Sequence, residues 1–118
     1  MDMEFRSRTV ELVVKTAARI HDSAHQDWAG SWLTGCNRSG IAARTEANRL
    51  SFEASSSLLE PPTAQRAAAA SWAAGAAEAW ALGNRDRAVR LARRGFWAIL
   101  AVGLAEEARP AWSELFGV

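Results

Sequence analysis

The chain has 118 residues, of which 26 are alanine, 13 arginine and one lysine, with six tryptophans, no tyrosine and a formal net charge of +1. That length suits one domain, spanning 1–118, able to bury about two-thirds of its unfolded surface. A lone cysteine, Cys36, excludes a disulfide scaffold, and an apolar fraction of 49% with near-neutral charge excludes a mostly disordered chain.

The N-terminus carries acids before any apolar run, and Arg6, Arg8, Glu11 and Lys15 interrupt the apolar residues beyond them. This is not the pattern of a secretory signal. The longest uncharged apolar stretch, 95–105, spans about 16 Å as a helix, against about 30 Å of hydrocarbon. A cytoplasmic protein without membrane contact is therefore expected. Arginine in place of lysine, with abundant alanine, is the composition of GC-rich bacterial coding sequence.

Alanine is the strongest helix former, and no segment alternates with a period of two. The first expected helix runs from about residue 3 to 29. Val10, Val13, Val14, Ala17, Ala24 and Trp28 recur at three-and-four spacing, with His21 inside that stripe and His25 at its edge. The loop 34–40 contains two glycines, and Ser39 is placed to cap the next helix. That helix is expected over 41–59. Ile41, Thr45, Asn48, Phe52, Ser55 and Leu59 share one face, and Ala43, Ala47, Leu50 and Ala54 a second. Glu46, Arg49 and Glu53 lie on the remaining face at ion-pairing distance along the helix.

Pro61-Pro62 ends the second helix, and Thr63 is the expected cap of a third over 64–82. The third is nearly all alanine, with Trp72 and Trp80 as its large side chains, and Gly83-Asn84 closes it. A fourth is expected over 85–108. Val89, Ala92, Phe96, Ile99, Leu100 and Gly103 form one stripe, with Leu91, Ala98 and Val102 opposite. Trp97 lies off both stripes and is an expected exposed residue. Leu91, Trp97, Ala98 and Val102 are the candidate interaction face of this helix. Pro110 opens a short C-terminal helix bearing Trp112, Leu115 and Phe116. The expected fold class is all-α: a four-helix, bundle-like domain of two helical hairpins plus that short helix.

Within the third and fourth helices, Trp72, Ala76, Gly83-Asn84-Arg85-Asp86-Arg87-Ala88, Leu91 and Gly95 match positions of a tetratricopeptide unit. Residues 69–100 thus resemble one such hairpin, about a quarter of the chain. Leu100 stands where the family has proline, and Gly75 and Ala79 replace its Leu-Gly and Tyr. The resemblance implies a scaffold for binding another protein.

His21 and His25, four apart, can point the same way from one helix. Zinc would need further donors, for which Asp22, Cys36, Glu46 and Glu53 are candidates, and their spacing selects none. No metal or cofactor is expected. Arg87, Arg90 and Arg94 form a basic stripe that suits phosphate, but the net charge of +1 argues against a nucleic-acid partner. Cys36 lies beside Arg38, which would stabilise a thiolate, and His21 or His25 could serve as its base only if the loop folds back toward them. His21, Trp28, Trp72 and Trp80 are the candidate lining of a pocket for a small apolar or aromatic ligand.

With no paired carboxylates, phosphate loop or triad assembled, an enzyme is not expected. The expected function is a non-catalytic protein-protein interaction module, homodimeric through the second or fourth helix. The alternatives are the Trp/His pocket and the basic face.

Overall fold

A computed structural model describes residues 3–56, 58, 60–101 and 109. Its described residues form five helices and no strand: α1 (Met3–Ala18), α2 (Ser23–Leu33), α3 (Gly40–Ala54), α4 (Pro61–Ala81) and α5 (Arg85–Ala101). The expected C-terminal helix, with Trp112, lies outside the described residues, as do Leu59, Val102 and Gly103. The helical bundle has α4 at its centre, packed against α3, α5 and α1.

Alanine explains that placement. Ala67, Ala69, Ala70, Ala73, Ala74, Ala76, Ala77 and Ala79 are all buried, on more than one side of α4. Short side chains let neighbouring backbones approach closely, so the bulk comes from the neighbours. Val10, Val13 and Val14 of α1, Trp32 of α2, Leu50 of α3 and Phe96 of α5 fill the main core around the alanine helix. Ile20, Ala69 and Ile99 make a smaller second cluster.

The single first helix expected from the stripe is two helices. Arg19 and Ile20 close α1 with turns onto the Thr16 and Ala17 carbonyls, at 3.1 and 3.2 Å. Asp22 then adopts extended backbone (φ −71°, ψ 169°) and accepts the His25 amide at 2.9 Å as the N-cap of α2. Ile20 is buried at this corner, which offsets the interruption. The break re-phases the second half of the stripe: Ala24 turns to solvent, and His25 enters the core.

Elsewhere the boundaries shift for local reasons. Ser39 caps α3, accepting the Ala42 amide at 3.0 Å. The helix stops at Ala54 rather than 59, with the Ser55 hydroxyl bonding back to the Ser51 carbonyl. Pro61 and Pro62 open α4 instead of preceding it, because a first-turn residue needs no amide donor. Glu60, not Thr63, holds the N-cap position, without a side-chain bond. Gly83, at φ +82°, turns the chain from α4 into α5 in a conformation side chains resist. Asn84 then caps α5 by accepting the Arg87 amide at 3.2 Å.

No helix among the described residues is long and apolar enough to cross a membrane.

Candidate functional site

The richest polar cluster sits where the α1–α2 corner meets α3. His25 is fully buried, and its Nδ1–H donates to Glu46 Oε2 at 2.8 Å. His21, with a side chain 5% exposed, donates from Nε2 to Glu53 Oε2 at 3.1 Å, and Asp22 Oδ2 lies 3.6 Å from the same nitrogen. Arg49 ties the carboxylates together. It donates to Glu46 from Nε at 2.9 Å and from Nη2 at 2.8 Å, to Glu53 Oε1 at 2.8 Å, and to both oxygens of Asp22 at 3.2 and 3.3 Å.

This network shapes its own ionisation. Burial pushes the Glu46 carboxyl up, but hydrogen bonds from His25 and Arg49, with the Arg49 charge, outweigh it and hold the group at about 2. Asp22 follows the same balance. Burial raises it, and the Arg49 bonds, the His25 amide and nearby positive charge bring it below the ordinary carboxylate range. Arg49 is raised, chiefly by its hydrogen bond to Glu46.

The cluster opens onto a groove of about 500 Å³ between the corner, the end of α3 and the start of α4. Ile20, Phe52 and Leu58 give it an apolar surface, and His21, Asp22, Glu53 and Arg66 bring polar groups to it. His25 stacks on Trp28 with ring centroids 5.6 Å apart, and Trp28 lies 6.4 Å from Trp32. An aromatic column thus runs back from the corner along α2.

The four residues expected to line one pocket are dispersed. His21 lines the corner groove, with no tryptophan beside it there. Trp28 is half-buried against the main core. Trp72 lines a separate groove over α4 between α3 and α5, of about 610 Å³, together with Gly75, Arg87 and Leu91. Trp80 borders a third cleft of about 230 Å³, beneath the guanidinium of Arg85 at 3.9 Å.

On α5, Arg87, Arg90 and Arg94 are exposed in a row, with Arg94 5.4 Å above the Trp72 ring. Trp97 is 63% exposed, as its position off both stripes implied. Leu91 packs on the main core and Ala98 on the second cluster, so α5's second apolar side is partly covered within the chain. Cys36 is exposed in its loop. Arg38 does not turn to it: its guanidinium lies 3.8 Å over the Trp32 ring and donates to the Trp32 and Leu33 carbonyls.

Spacing along the helix makes Glu46, Arg49 and Glu53 a face that pairs with itself. They do pair, but the same face also receives both histidines across the corner. Phe52 and Arg66 carry no local signal for this site, since nothing in their sequence pattern brings the start of α4 beside the end of α3. No protein-family model, curated protein or solved structure matches this chain.

Proposed function

We propose that the chain is a non-catalytic helical interaction module that associates with a second copy of itself through the outer row of α3. The observation that carries this reading is the exposure of Ile41 (82%) and Phe52 (78%) on one uncharged helix face. Thr45 and Asn48 lie between them and are also exposed. The row is self-complementary. Its two apolar ends lie eleven positions apart, about 16 Å along the helix. A two-fold axis through the Thr45–Asn48 midpoint sets Ile41 of one copy against Phe52 of the other, as an isologous interface requires. Pairing Ile41 with Phe52 across that axis would cover both exposed apolar side chains, which either chain alone leaves to water.

The tetratricopeptide-like pattern of α4 and α5 supports the same class of function. Its small position, Gly95, packs against its tryptophan, since a Cβ there would stand 3.4 Å from Trp72 Cβ. The exposed thiol of Cys36 suits a reducing cytoplasm. The basic row on α5 supports an anionic partner more weakly, because the chain as a whole is nearly neutral.

Light scattering across a concentration series tests the reading. The wild type is expected at twice the chain mass, and Ile41→Glu and Phe52→Glu at the chain mass with unchanged helical circular dichroism. A wild type that stays monomeric at its highest soluble concentration overturns self-association.

A further inference from the structure

The charges at the α1–α2 corner do not balance. Asp22, Glu46 and Glu53 converge on one guanidinium, Arg49, which leaves an excess of two negative charges within the bonded network when the imidazoles are neutral, and of one when Arg66, which lines the same groove, is included. Glu46 is buried and bonded by both His25 and Arg49. Asp22 and Glu53 instead line the groove, and each also faces His21 Nε2.

The spacing of these donors has a chemical meaning. Two donors on one ion, each at about 2.0–2.1 Å, stand about 3.4 Å apart in tetrahedral geometry. His21 Nε2 is 3.1 Å from Glu53 Oε2 and 3.6 Å from Asp22 Oδ2. The His21, Asp22 and Glu53 donor atoms all lie within 4.8 Å of one another. Their supports are already ordered. Asp22 is fixed as the N-cap of α2, and Arg49 holds Glu53 by Oε1, which leaves Oε2 to His21. Outer hydrogen bonds of this kind orient ligating carboxylates.

We propose that His21 Nε2, Asp22 and Glu53 form a three-ligand site for a divalent first-row transition ion, with zinc as the reference, open to the groove on its remaining side. One imidazole with two carboxylates suits zinc, cobalt or manganese better than magnesium or calcium, which take oxygen ligands. Binding exchanges the His21–Glu53 hydrogen bond for three metal–ligand bonds, and the single proton of the neutral His21 ring moves from Nε2 to Nδ1, which frees the Nε2 lone pair for the ion. The site takes no ligand from Ile41, Phe52 or Cys36, although Phe52 of the proposed association surface lines the groove onto which the site opens.

Titration calorimetry of the untagged full chain with zinc chloride tests the proposal. One zinc per chain is expected, with affinity lowered more than about tenfold in His21→Asn and Glu53→Gln, since loss of an outer partner alone costs about 10–100-fold. Cys36→Ser and Ile41→Glu are expected to bind as the wild type does. Absence of zinc binding by the wild type overturns the site, as do equal binding by His21→Asn, loss of binding in Cys36→Ser, or equally tight magnesium uptake. Should a corner variant lose helicity, the cobalt spectrum of the wild type decides. Visible bands without a thiolate charge-transfer band support these ligands, and a charge-transfer band overturns them.

Discussion

Glu46 Oε2 accepts a 2.8 Å hydrogen bond from His25 Nδ1, and the two residues are 8% and 0% exposed. This bond joins α3 to α2, two helices that otherwise meet mainly through α1 and α4. Removing one member of a buried pair leaves the other desolvated without its partner. Glu46→Gln, which keeps the shape but loses the charge, is expected to lower unfolding free energy by about 1.5–3 kcal/mol. Glu46→Ala is expected to cost more, about 3–5 kcal/mol. Urea denaturation followed by circular dichroism measures both; midpoints unchanged from the wild type would show that the pair contributes nothing.

The depressed Glu46 carboxyl makes stability depend on acid. Its ordinary value is 4.5, and the fold holds it at about 2. The folded state therefore binds the proton less readily than the unfolded chain. The contribution is complete above about pH 5 and is lost as pH falls toward 2, a difference on the order of 3 kcal/mol. Asp22, also lowered, acts in the same direction. Denaturation midpoints between pH 6 and pH 2 should fall steeply in the wild type and less steeply in Glu46→Gln. Parallel curves would place the acid sensitivity elsewhere.

Two helical glycines are expected to respond oppositely to alanine. A Cβ on Gly95 would come within 2.8 Å of Val13 Cγ2 and 3.4 Å of Trp72 Cβ. Valine's χ1 is stiff, so the α1–α4–α5 contact must open, at about 1–3 kcal/mol, more than alanine's helix preference of about 1 kcal/mol returns. Gly30 has nothing within 4 Å of the same position. Gly30→Ala is expected to raise the thermal midpoint and Gly95→Ala to lower it. The same sign for both would contradict the packing described.

Arg38 and Cys36 are neighbours in sequence with separate roles. Arg38→Ala should cost about 1–2 kcal/mol through the lost Trp32 stacking and carbonyl bonds, and Arg38→Lys should not restore it, because lysine has no planar face. Cys36→Ser should change stability by under about 0.5 kcal/mol. Native-state maleimide labelling of Cys36 should approach the rate in denaturant, as its exposure implies; strong protection would refute that exposure.

The helical class and most of the turns were legible in the chain itself. Gly83 at the end of α4 and the Ser39 cap are local chemistry, decided within a few residues, and the alanine run announces a thin helix wherever it packs. Periodicity also separated Val10, Val13 and Val14 as core. It failed at Asp22, where a continuous three-and-four stripe concealed a capped break. The cap competes locally with helix propagation, and burial of Ile20 against Ala69 and Ile99 tips the balance. That one corner, a tertiary event, turned His25 inward, set both histidines against Glu46 and Glu53, and brought α4 alongside to form the groove. It likewise left Ile41 and Phe52 outside. Periodicity ranks the faces of a helix by polarity; which apolar face stays uncovered depends on where the neighbouring helices lie.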